Sequence, residues 1–126
     1  MNRTKESFIK NRLKSIGYSL KGIWILIKTE SSIKIQLFVA VIVIFIGFLV
    51  GLSILEWIAQ CIAIGLVLVA EALNTSIEKI ADFIHPEYNK NIGSIKDIGA
   101  GAAGIAAIIS LVIAALIYIP KLQGLF

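Results

Sequence analysis

At 126 residues the chain has room for one small domain, yet 58% of it is apolar and its mean hydropathy is +0.91, far outside the soluble range. That excludes an ordinary soluble enzyme and predicts an all-α integral membrane protein, one domain over residues 1–126. The net charge of +4 hides an uneven distribution: residues 1–34 carry Arg3, Lys5, Lys10, Arg12, Lys14, Lys21, Lys28 and Lys34 against only Glu6 and Glu30.

This basic arm has a helical period. Ile9, Leu13, Ile16, Leu20, Ile23 and Ile27 recur at intervals of four and three with cations between them, which predicts an amphipathic helix over residues 1–34 lying on the cytoplasmic membrane surface. It starts too polar for a signal peptide and has no cleavage-site pattern. Gly17 and Gly22 weaken the helix by up to about 1 kcal/mol each and bracket Gly-Tyr-Ser-Leu-Lys-Gly, a candidate contact segment. Glu30 then stands where the surface helix must give way to a span. Its plainest role is an interfacial carboxylate paired with Lys34, four residues on.

The first span is expected at 35–52, interrupted only by Gln36. The following turn, Ser53 to Glu56, has no Lys or Arg, so the positive-inside rule puts the basic arm in the cytoplasm and this turn outside. The second span is expected at 54–76, its helix continuing to about Ile84, where His85-Pro86 stops it because a residue before proline avoids the α region. Residues 77–97 are expected to form the cytoplasmic end of that helix and a polar loop from 85 to 97. A third span at 98–119 is closed by Pro120. It opens with Gly99-Ala100-Gly101-Ala102-Ala103-Gly104, literally G-x-G-x-x-G. That pattern signals a dinucleotide site only between a strand and a helix, so here it predicts tight helix packing instead.

The most informative stretch is Glu71-Ala72-Leu73-Asn74-Thr75-Ser76-Ile77-Glu78, followed by Asp82. It directly follows the uncharged run from Trp57 to Ala70. Spacings of 3, 4 and 4 put Glu71, Asn74, Glu78 and Asp82 on one helix face. A solvated acidic face is the bland alternative. Depth argues against it for Glu71: a hydrocarbon core about 30 Å thick, starting at Glu56 and crossed at about 1.5 Å per residue, ends near Ser76. An ionisable side chain below the surface marks a functional site unless something pairs it. Cys61 is the lone cysteine and His85 the lone histidine, so a His/Cys metal cluster is excluded. Any metal would need oxygen ligands, and Glu30, Glu78 and Asp82 would suit Mg²⁺.

The segments E-A-L-N-T-S-I-E-K-I-A-D at 71–82, G-Y-S-L-K-G at 17–22, the isolated Glu30, E-Y at 87–88 and K-D at 96–97 resemble the small prokaryotic diacylglycerol kinases, a family that includes undecaprenol kinases. The resemblance covers about residues 12–119. It implies a homotrimeric bundle of three-span subunits, each with an N-terminal surface helix, in the bacterial cytoplasmic (inner) membrane. The implied partners are ATP and a membrane lipid alcohol, with Mg²⁺ and without nucleic acid. The acceptor is expected to be diacylglycerol, giving phosphatidic acid, with undecaprenol as the alternative. Carried across, the resemblance makes Glu71 the catalytic base at the lipid hydroxyl and Asn74 its catalytic neighbour, with Glu30 and Glu78 as metal ligands. Tyr18, Lys14, Glu87, Lys96 and Asp97 would contact the nucleotide. Asn89 stands where many members have His, and Ala81 where a larger aliphatic is usual.

Phosphoryl transfer suits such a site. It needs positioning, neutralised phosphate charge and a base near the attacking hydroxyl, and no protein nucleophile. The rival class is a non-enzymatic membrane oligomer or channel lined by a ring of Glu71. It would leave Glu30, Lys96 and Asp97 without a role.

Overall fold

The structure, a computed structural model, describes residues 5–125, so Arg3 of the basic arm lies outside them. The described residues form four helices: α1 (Lys5–Thr29), α2 (Ser31–Val50), α3 (Ile54–Ile84) and α4 (Lys90–Gln123). The last three are long and apolar enough to cross a membrane. The expected surface helix is shorter than its predicted range, because the chain breaks at a single residue. Glu30 leaves the α region (φ −103°, ψ 112°), its N–H still bonded to Leu26 O and its carbonyl already accepting from Lys34 N.

Each later boundary has a local cause. α2 stops at Gly51, whose φ of 71° is left-handed and favours glycine; Gly51 N and Leu52 N both donate to Gly47 O. α3 starts in a capping box: Ser53 Oγ accepts from Glu56 N at 3.2 Å while Glu56 Oε1 accepts from Ser53 N at 3.0 Å. It ends at His85, before Pro86, where the sequence places the stop. The expected 85–97 loop, however, shrinks to 85–89. Asn89 caps α4 by accepting from Asn91 N at 2.8 Å, so residues 90–97 are helical. Polar composition suggested a loop there, but the cap starts a helix. Pro120 does not close α4 either, since the helix runs through it to Gln123.

The packing is inverted relative to a soluble domain. The buried apolar residues are Ile33, Ala40, Ala63, Ala81, Ala106 and Ile117, mostly alanines, while Phe38, Phe45, Phe48 and Leu111 are exposed. Small residues let the helix backbones approach, and large ones face outward. α3 and α4 make the main interface, α2 leans on α3, and α1 touches α2 lightly. Gly47 is needed where α2 meets α3: a Cβ there would lie 2.8 Å from the Trp57 ring.

Polar clips join the helices away from the acidic stripe. The Tyr118 hydroxyl on α4 lies 3.1 Å from Val43 O on α2 and within hydrogen-bond distance of Gln60 Oε1 on α3. Ser110 Oγ donates to Ala63 O at 3.0 Å. At the α2–α3 turn Lys121 Nζ lies 3.2 Å from both Glu56 Oε1 and Gly51 O. These clips tie α2 and α4 to each other and to α3, which carries the stripe.

Candidate active site

α3 presents the stripe as the spacing requires, but burial differs along it. Glu71 and Glu78 are half-buried, Asn74 is only 7% exposed, and Asp82 is exposed. Asn74 is held from two sides. Its Nδ2 donates to Glu78 Oε1 at 3.3 Å, and Gly99 of α4 packs against it so closely that a Cβ there would stand 2.5 Å from Asn74 Oδ1. That Oδ1 is buried and accepts no hydrogen bond from the described residues. Glu71, one turn nearer the apolar middle of α3, has no hydrogen bond or ion pair with any described residue. Half-burial of an unpartnered carboxylate is costly, which makes Glu71 the candidate at the centre of the site.

Two ion pairs tie the His85 end of α3 to its neighbours. Glu30 Oε1 lies 3.7 Å from Lys79 Nζ, so the expected Lys34 pairing is replaced by a partner on another helix. Its other neighbour is the Thr29 hydroxyl at 3.3 Å. Lys96 is paired with Asp82 across the α3–α4 interface.

Glu87 and Lys96 both line a pocket of about 240 Å³ at the α3–α4 turn, together with His85, Tyr88 and Asn89. His85 Nδ1 lies 2.8 Å from Glu87 O. Asp97 is exposed. Tyr18, 71% exposed, and Lys14, exposed, lie on α1 and make no hydrogen bond or ion pair with the stripe. Among the described residues no group of three or more His, Cys, Asp or Glu side chains is placed to hold a metal ion.

Of the small residues 99–104 expected to pack α4, Gly99 is buried, whereas a Cβ on Gly101 or Gly104 would meet nothing within 4 Å. Sequence reasoning missed Lys79 as the partner of Glu30, Asp82 as the partner of Lys96, and Gly99 as the wall behind Asn74. No local pattern could have found the first two, since each pair joins residues from different helices.

The arrangement can therefore offer a free carboxylate beside an anchored amide and a second carboxylate, where an apolar helix becomes polar. Comparison with known proteins gives the family. The family described as prokaryotic diacylglycerol kinase matches residues 17–118. The chain is 38% identical to an undecaprenol kinase of Bacillus subtilis over 109 residues, covering 86% of this chain and 89% of the relative. It is 30% identical to a diacylglycerol kinase of Haemophilus influenzae (81% and 86% covered) and 28% identical to that of Escherichia coli strain K12 (79% and 82% covered). With a family match over residues 17–118 and a relative 38% identical over most of both chains, the chain belongs to the prokaryotic diacylglycerol kinase family.

Proposed function

We propose that the protein is an ATP-dependent membrane lipid kinase that moves the γ-phosphoryl group of ATP to the hydroxyl of a lipid alcohol. The observation that carries this is Glu71, half-buried and unpartnered, beside the linked pair Asn74 and Glu78. Glu71 is the base. As the lipid oxygen bonds to the γ-phosphorus, the hydroxyl proton passes to the Glu71 carboxylate, the bond from the γ-phosphorus to the β–γ bridging oxygen breaks, and ADP leaves. Asn74, locked by Glu78 and Gly99, orients the acceptor next to that carboxylate. The hydrocarbon tail stays in the bilayer.

Glu30 and Glu78 are the carboxylates that would hold Mg²⁺, which would neutralise phosphate charge when bound with ATP. Their chemistry fits, since both are hard oxygen donors of the kind Mg²⁺ takes, with Lys79 as the cation that now sits beside Glu30. Lys96, Glu87 and Asp97 at the start of α4 and in its preceding turn, with Tyr18 and Lys14 from α1, contact the nucleotide. α1 lies on the membrane with its apolar row inward, and its cations support a site on the cytoplasmic side of the bacterial inner membrane. The exposed apolar faces, and a Tyr18 that is 71% exposed and unbonded to the stripe, support a homotrimer with each site completed between subunits.

Diacylglycerol and undecaprenol are both candidate acceptors. The higher identity to an undecaprenol kinase makes undecaprenol the first to test. Purified protein in mixed micelles should transfer labelled γ-phosphate to at least one of them, and silence with both would favour the channel instead.

A further inference from the structure

Asp82 lies on the same face of α3 as Glu71, Asn74 and Glu78, one turn beyond Glu78, yet the phosphoryl transfer above gives it no part. The structure gives it a partner. Lys96, six residues into α4, turns its ammonium to the Asp82 carboxylate and also lines the pocket at the α3–α4 turn with Glu87 and Tyr88. The start of α4 is itself fixed: Asn89 caps it, and Tyr88 lies 3.7 Å from where a Cβ on Gly93 would stand. Lys96 is thus set by its helix at one end and by Asp82 at the other.

We propose that Asp82 is a positioning residue: its carboxylate holds the Lys96 ammonium at the rim of this pocket, where the phosphate chain of ATP arrives, without touching the nucleotide. This rests on the lipid kinase reading and on Lys96 as a phosphate contact. The pair is too exposed to matter much for stability, with side chains 37% and 59% accessible. Its value is order. A lysine ends in a hydrated point charge on a flexible stem, so an unheld Lys96 would sample many positions away from the pocket. Protein kinases, on an unrelated fold, hold their phosphate-binding lysine through a helix glutamate in the same way. The opposing effect has the opposite sign: Asp82 cancels positive charge near the phosphates, so if net attraction outweighed orientation, neutralising Asp82 would tighten nucleotide binding.

The test compares the full-length wild type with Asp82→Asn, Asp82→Glu, Lys96→Gln and the Asp82→Asn/Lys96→Gln double variant. MgATP affinity is measured directly with a fluorescent ATP analogue, beside kinetics with a lipid acceptor and thermal melting. Asp82→Asn should raise both Kd and KM for MgATP about tenfold, with kcat within about twofold and an unchanged melting temperature. Asp82→Glu should recover most of the affinity, and Asp82→Asn should cost nothing further once Lys96 is Gln. Unchanged or tighter binding in Asp82→Asn, an undiminished loss in the Lys96→Gln background, or a loss that tracks a lowered melting temperature would each overturn the proposal. A wild type that binds MgATP but phosphorylates no lipid alcohol would defeat the kinase reading alone, because the direct binding measurements still judge Asp82.

Discussion

Replacing Gly99 by alanine should make α4 a better helix and the site beside it a worse one. Helix propensity alone favours the change by about 0.5–1 kcal/mol. The new Cβ would stand 2.5 Å from Asn74 Oδ1 and 3.6 Å from its Cγ. The first distance is about 1 Å short of ordinary contact. Asn74 is 7% exposed and bonded to Glu78 Oε1 at 3.3 Å, so either its amide swings away and gives up that bond, or α3 and α4 separate. Overpacking of this kind costs about 1–3 kcal/mol, so net stability should end between roughly unchanged and about 2.5 kcal/mol lower. Activity should suffer more, because misplacing a catalytic neighbour by about 1 Å can cost about 10²-fold in turnover. The assay is lipid phosphorylation per assembled oligomer, with melting temperature on the same preparation. Gly101→Ala is the control, since its Cβ meets nothing within 4 Å and should bring only the propensity gain. Wild-type turnover in Gly99→Ala with a raised melting temperature would refute the view that Gly99 holds Asn74 in place.

Glu71→Gln keeps size and most hydrogen-bonding geometry while removing proton acceptance, so turnover should fall by about 10²–10⁴-fold with MgATP affinity nearly intact. Normal turnover per assembled oligomer would remove Glu71 from the mechanism. Glu30→Gln and Glu78→Gln should each raise the Mg²⁺ concentration needed for half-maximal activity, whereas Lys79→Met, which removes a competing cation 3.7 Å from Glu30, should lower it. An identical Mg²⁺ titration in all three would sink the metal assignment. Tyr118→Phe deletes the hydroxyl that bridges Val43 O and Gln60, and should cost about 0.6–1.7 kcal/mol of bundle stability while leaving MgATP affinity unchanged. Melting in detergent checks the first part, and unaltered melting would show that the clip contributes nothing.

Much of this protein is local and therefore legible along the chain. The three apolar helices, the stop before Pro86 and the break near Glu30 follow from hydropathy and backbone restriction, which act over a few residues. The shared face of Glu71, Asn74, Glu78 and Asp82 follows from helical periodicity. Where composition competed with a cap it misled: residues 90–97 are polar but helical because Asn89 starts α4 early. The partners of the candidate site residues were not legible at all. Lys79 rather than Lys34 meets Glu30, Lys96 meets Asp82, and Gly99 walls in Asn74, because α2 and α4 approach α3 at those particular levels. Such levels are set by where small residues let two helix surfaces close and where Tyr118 and Lys121 clip them, a sum of contacts between residues distant in sequence. Periodicity says which side chains share a helix face, and only the packing of one helix on another says what that face meets.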